Sequence, residues 1–221
     1  MKLLLDSIVK FLVGLLMCIL LVFLPAGSLK FINGWIFVAA LFLPMLVLGT
    51  VLLVKSPKLL EKRLSSKEKR GAQKGIVALC GALFILGFVL AGLDYRFGLT
   101  NMPMWCSITA TAVLLVSYAA YAEVMRENAY LSRTIEVKQD QKLVDSGLYG
   151  VVRHPMYLAT LFMFLSIPVI LGSWLALACF AFYPIIIVIR IVDEEKLLKS
   201  ELEGYTEYTQ KVKYRLIPFV W

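Results

Sequence analysis

Six apolar runs divide this chain almost end to end, and a chain divided in this way has few folds open to it. They are Ile8–Leu24, Gly34–Val54, Gly75–Leu93, Met104–Val124, Met156–Leu171 and Trp174–Val192. With 60% hydrophobic and only 17% charged residues, the chain holds more apolar sequence than a soluble core uses. Backbone polar groups in hydrocarbon must be satisfied within the segment, so each run reads as a helix. The expected fold class is all-α: a polytopic integral membrane protein of about five to six transmembrane segments. Ile8–Leu24 spans roughly 26 Å at 1.5 Å per residue, a short first span whose rival is a signal peptide. Five further runs follow it, which favours an uncleaved span. Met156–Leu171 is shorter still and contains Pro168, so it reaches only part of the way across a bilayer. It is joined to Trp174–Val192 by Gly172-Ser173 alone. That link predicts a helical hairpin with both outer ends on one face.

Charge placement sets the orientation. Cytoplasmic loops of membrane proteins carry the excess of Lys and Arg. With the loop Lys55–Lys74, the segment Arg126–Arg153 and both termini on the cytoplasmic face, only Lys30 and Arg96 of 23 basic residues lie outside. The basic loop therefore reads as a cytoplasmic, lipid-facing loop rather than a nucleic-acid surface. Cys18, Cys80, Cys106 and Cys179 all fall inside apolar runs, and the chain has one histidine. Neither a disulfide framework nor a metal site is expected from that pattern.

The polar detail concentrates after residue 126. Arg153-His154-Pro155-Met156-Tyr157 opens the hairpin and holds the single histidine. Proline disfavours helix in the residue before it and suits the first helical position. His154 therefore reads as a cap, with helix beginning at Pro155 and free N–H groups that suit an anion. An ordinary interfacial anchor is an equal reading of the same residues. Glu194 and Glu195 follow the second arm, about 100° apart on a helix. Arg190 lies one turn deeper, within i,i+4 reach of Glu194. It reads either as a snorkelling group or as a clamp for a carboxylate or phosphate. Gly204 is expected to end that helix, and Tyr205–Trp221 to form a further helix on the membrane surface. No phosphate-binding glycine loop, dinucleotide fingerprint, zinc-protease histidine pair or nucleophile elbow occurs.

Taken together, G-x-Y-x-x-x-R-H-P-x-Y at Gly147–Tyr157, E-E-x-x-L at Glu194–Leu198 and G-Y-x-x-Y-x-x-x-V at Gly204–Val212 resemble the isoprenylcysteine carboxyl methyltransferase family. The related phospholipid methyltransferases share the pattern. The resemblance covers roughly residues 126–221 and divides the chain into a scaffold of four spans, 1–125, and a catalytic part, 126–221. It implies a methyltransferase dependent on S-adenosyl-L-methionine, with a cytoplasmic-face cofactor pocket. It implies cofactor contacts from Gln141, Leu143, Val144, Gly147, Tyr149, His154, Pro155, Tyr157, Tyr205 and Tyr208. Glu195 (or Glu194) would hold the cofactor's amino group. Gln141 stands where the family often has histidine. The acceptor would be a lipophilic small molecule or a prenylated chain entering from the bilayer, most simply a carboxylate that needs no general base. Arg190 would orient it, with Arg153 or Arg215 as weaker candidates and Glu194 the proton sink for an amine or thiol. Nucleic acid and metal are not expected partners. The rival readings are an NADPH-dependent membrane reductase with a similar carboxy-terminal half, and a non-catalytic scaffold.

Overall fold

A computed structural model describes residues 2–64, 71–128, 130–131 and 141–221. The middle of the expected basic loop (Lys67, Lys69 and Arg70), together with Arg133 and Lys138, lies outside the described residues. Long helices dominate: α1 (Lys2–Ala26), α2 (Ile32–Lys55), α4 (Gly71–Phe97) and α5 (Met104–Glu127), with the short α3 (Pro57–Leu64) between α2 and α4. After a single 3-10 turn at Gly147–Gly150 come α6 (Pro155–Ile170), α7 (Trp174–Phe180), α8 (Tyr183–Glu201) and α9 (Tyr205–Lys211). Five units are long and apolar enough to cross a membrane: α1, α2, α4, α5, and α7 with α8 taken together. The shorter α6 is the sixth apolar helix. All six expected runs are helical, and the chain is a multi-pass membrane protein.

The differences lie at the ends and in the last arm. The first helix begins at Lys2 rather than Ile8, because Lys10 Nζ bonds Asp6 Oδ2 at 2.8 Å and extends the helix beyond its apolar run. The second hairpin arm, expected as one helix, breaks at Ala181-Phe182. Pro184 lacks the N–H that would bond the Phe180 carbonyl, and its ring crowds the same turn. Downstream, Leu202 ends α8 and Gly204 takes a left-handed conformation (φ 77°), as expected of a helix stop. The tail differs more. Only Tyr205–Lys211 is helical, and residues 212–221 turn back in irregular form.

One apolar core joins the amino-terminal helices to the hairpin, from Cys18, Val22 and Phe37 through Leu114 to Ile167 and Phe180. Phe84 meets Phe164 and Phe180 edge-on within it, and Tyr183 of a neighbouring apolar cluster. Gly87 makes room for the Phe180 ring, where any Cβ would overlap it. At the end away from Pro155, buried polar groups fasten the hairpin turn. Asn33 Nδ2 donates to Ser107 Oγ (2.8 Å) and the Ile170 carbonyl (2.9 Å), and Ser107 Oγ donates to the Val169 carbonyl (3.1 Å). Asp94 accepts from Thr100 and from Ser173, the cap of α7. Polar groups in an apolar bundle need such partners, and these fix where the two arms turn.

Candidate functional site

Proline at the first position of α6 leaves His154 as a non-helical cap (φ −126°, ψ 61°), as the Arg-His-Pro order predicts. The backbone there turns to the tail: Arg153 N–H donates to the Tyr214 carbonyl and His154 N–H to the Arg215 carbonyl, both at 2.9 Å. Side chains reinforce the same tie. Arg153 donates from Nη1 to the carbonyls of Val212 (2.7 Å) and Lys213 (3.0 Å), and from Nε to Glu195 Oε1 (2.7 Å). His154 Nε2 lies 3.3 Å from the same oxygen, and Arg215 Nε donates to Oε2 at 2.8 Å. Glu195 is 3% exposed and sits among two guanidiniums and an imidazole. A carboxylate out of water keeps its charge only with such compensation.

Glu194 points elsewhere. Tyr157 Oη donates to Glu194 Oε2 at 2.6 Å, and Arg190 Nε donates to Tyr157 Oη at 3.3 Å. Glu194, Tyr157 and Arg190 all border one cavity, which Glu195 does not. The cavity lies between α6, α8, α9 and the segment 141–149. Of the residues expected at a cofactor site, Gln141, Leu143 and Val144 line it from the connecting segment. Tyr149, Tyr205 and Tyr208 line it from the 3-10 turn and α9, and His154, Pro155 and Tyr157 from the start of α6. Arg153 reaches it while bonded to Glu195 and the tail.

Gly147 and Glu195 were expected at the ligand but do not line the cavity. Gly147 has φ 58°, and a Cβ there would fall on the Glu127 carboxylate, which accepts the Leu148 N–H at 3.0 Å. Its part is to seat the turn against α5. Gly147→Ala is expected to lower stability by ~1–2 kcal/mol from the left-handed backbone alone, read as a lower melting temperature in detergent.

The tyrosines form a linked set. Asn128 Nδ2 donates to Tyr149 Oη (3.0 Å), and Tyr208 Oη donates to the Tyr149 carbonyl (2.7 Å). Burial pushes the Tyr149 hydroxyl up to about 12 and raises Tyr208 and Tyr205 as well. All three therefore remain neutral hydroxyls at physiological pH. Tyr205 is 3% exposed and its hydroxyl has no hydrogen-bond partner among the described residues. Native structures rarely leave a buried hydroxyl so. The sequence did not single out Asn128, Tyr130, Met156 or Leu202, which also line the cavity. Leu197 lines it too, beside Leu198 of the E-E-x-x-L motif, and one signal could have found it: both continue the face of Arg190 and Glu194 at helical spacing.

Comparison with known proteins bears on this half of the chain. Residues 102–203 match the family model described as phospholipid methyltransferase. A solved structure of a eukaryotic intramembrane Ras methyltransferase, isoprenylcysteine carboxyl methyltransferase, superposes with a TM-score of 0.51 at 19% identity, covering 86% of this chain and 74% of that one. The chain thus shares the helical membrane fold of that protein. It is also 35% identical over 91 residues to a Delta(14)-sterol reductase of Mus musculus, covering 40% of this chain and 22% of the relative. With a Delta(14)-sterol reductase of Methylotuvimicrobium alcaliphilum it shares 25% over 136 residues, 55% of this chain and 32% of the relative. This chain spans between a fifth and a third of those curated relatives.

Proposed function

We propose that this protein is an integral membrane methyltransferase that uses S-adenosyl-L-methionine to methylate a lipophilic acceptor, most simply the carboxylate of an isoprenylcysteine-like substrate. The observation that carries this is the cavity's chemistry. A buried hydroxyl without a partner (Tyr205) lies with the Glu194 carboxylate and several tyrosine rings around one space. Carboxylate and aromatic faces suit a ligand bearing positive charge. The family region at 102–203 supports the same reading, with 126–221 as the catalytic part on a scaffold formed by 1–125. The distribution of Lys and Arg supports a cytoplasmic face for the cavity.

The cofactor, when bound, supplies an activated sulfonium methyl that a nucleophile takes without a covalent link to the protein. Glu194 would hold its amino group, a role first open to either glutamate, because Glu195 is committed to Arg153, His154 and Arg215. Tyr205 Oη would bond a polar atom of the cofactor, while Gln141, Leu143 and Val144 border its nucleoside. Arg190, beside Tyr157, would orient an acceptor carboxylate, which is already ionised and needs no base. Arg153 is set aside from that task by its existing bonds. Tyrosine and leucine side chains exclude water, which favours a reaction between opposite charges that leaves neutral products.

The sterol reductase similarities favour one other reading, a reductase using NADPH. A dinucleotide brings several phosphate charges. Among the described residues, the cavity offers Lys142, Arg153 and Arg190 as its cations, Arg153 bonded to Glu195 and Arg190 to Tyr157. Calorimetric titration of detergent-purified protein separates the two. Saturable S-adenosylhomocysteine binding without NADPH binding is expected; the reverse would move the protein to the reductase class. Tyr205→Phe sharpens the test, because its two effects have opposite signs. Loss of an unpartnered buried hydroxyl should leave stability equal or ~1 kcal/mol higher, whereas affinity for S-adenosylhomocysteine falls about five- to tenfold. Unchanged affinity would remove Tyr205 from the cofactor site.

A further inference from the structure

Residues 212–221 leave α9 and fold back as a strap against the start of α6, tied there by the bonds from Arg153 and His154 to the Tyr214 and Arg215 carbonyls. Beyond that tie the chain goes deeper. Leu216 is buried in a cluster with Tyr157, Leu161, Tyr183, Ile187 and Ile191, and Ile217 and Trp221 pack against it. Within the cluster, Leu161 and Ile187 lie roughly 9–10 Å along their helices from Pro155 and Glu194. A helix on the membrane surface was the expectation from sequence. Residues 216–221 instead lie beside the apolar stretches of both hairpin arms.

We propose that residues 216–221 form an apolar tip that enters the headgroup–acyl boundary of the leaflet on the cavity's side, with lipid acyl chains as its partner. Among the described residues, Phe219 is the one non-glycine residue with positive φ (65°), a conformation that costs free energy. The turn that strains it leaves its ring and the Val220 side chain 88% and 75% exposed. Water returns nothing for that arrangement, whereas acyl chains do, because both side chains then leave water. Non-helical backbone is tolerated at membrane depth only where its polar groups are satisfied and it rests on protein. Both conditions hold. The N–H groups of Arg215, Leu216 and Ile217 converge on the Trp221 backbone oxygen at 2.9, 2.9 and 3.3 Å, and those of Val220 and Trp221 on the Ile217 carbonyl at 3.1 Å. Pro218 has no N–H to satisfy, and Leu216 fixes the turn to the hairpin. Charge runs the same way along the strap. Lys211 and Lys213 are exposed just before the tip, and the Arg215 guanidinium lies 5.1 Å from the Trp221 ring centroid while bonded to Glu195. Cations, then an aromatic ring, then an apolar tip match the order of headgroup, interface and acyl chain. The strap that brings Arg215 to Glu195 is thereby pinned to the bilayer as well as to the hairpin.

The test is photocrosslinking of the full-length chain in nanodiscs of phosphatidylcholine and phosphatidylglycerol. The photoreactive residue p-benzoylphenylalanine replaces Phe219 or, separately, Val220, with Glu207, exposed on α9, as the comparison position. On illumination the ketone takes a hydrogen from a nearby C–H and the two radicals join, so the adduct records what the side chain touches. Saponification before mass spectrometry then tells chain from headgroup, since only an acyl adduct keeps the mass of a fatty acid on the peptide. Acyl adducts are expected at 219 and 220, in chains that melt as wild type does, and none at 207. Adducts at neither tip position, or to headgroups alone, would overturn the proposal. So would equal acyl labelling at 207, which would make it a property of the whole tail. Crosslinks from the tip to a second copy of the chain, or to another protein in native membranes, would replace lipid by a protein partner. Loss of melting with the probe at both 219 and 220 would show that these side chains pack against protein, and overturn it as well.

Discussion

Glu195→Gln is expected to cost the fold, not merely the ligand. The carboxylate is the shared counter-charge for Arg153, His154 and Arg215, and its amide replacement leaves buried guanidinium charge without compensation. Removing one partner of a buried pair typically costs ~3–5 kcal/mol, a large part of the stability of a domain. The cost should follow burial among the partners. The Arg153 side chain is 6% exposed and that of Arg215 34%, so replacing Arg153 should be far more damaging than replacing Arg215. Thermal unfolding in detergent checks both. Melting of Glu195→Gln within a degree or two of wild type, with cofactor affinity alone reduced, would return Glu195 to the ligand-binding role first read from the sequence.

Glu194→Gln should behave in the opposite way. Its carboxylate accepts from Tyr157 and borders the cavity, so an amide keeps shape and one acceptor oxygen while losing charge. Melting should stay close to wild type. Affinity for S-adenosylhomocysteine should fall about tenfold or more, the ~1.4 kcal/mol or above expected for losing a charge-assisted bond to an ammonium group. Adding Tyr205→Phe to this variant should lower affinity further with no loss of stability. If Glu194→Gln binds as tightly as wild type, the amino group of the cofactor is held elsewhere.

Choosing between these two neighbouring glutamates was possible in principle from the sequence. Ile187, Ile191 and Glu195 recur at i, i+4 and i+8, and all three are buried. Arg190, Glu194, Leu197 and Leu198 form a separate stripe that faces the cavity. Motif resemblance treats the Glu-Glu pair as one feature, whereas helical phase separates them. The spans, the His154 cap and the stop at Gly204 were legible because each follows from local rules: apolar length, a proline at the first helical position, and a glycine free to adopt positive φ. The break before Tyr183 was legible only through Pro184, inside a run whose hydropathy argues for continuity. Residues 212–221 were not legible as a strap. Their partners, Arg153 and His154, are remote in sequence, and no propensity encodes a pairing between two irregular segments. For the same reason Asn128 and Tyr130 were missed, since each meets α8 and α9 only across the fold.

That strap has a consequence for how the protein is made. Arg153 bonds carbonyls 59 or more positions further along the chain. Contacts of such long sequence separation form late, because the intervening chain must first be ordered. Until residues 212–215 emerge, Arg153 lacks its carbonyl partners and Glu195 lacks Arg215. A nascent chain can thus be fully inserted and still hold an unfinished cluster of charges at the mouth of its hairpin. Membrane quality-control proteases that sample exposed, poorly packed polar segments would meet that cluster only on incomplete molecules.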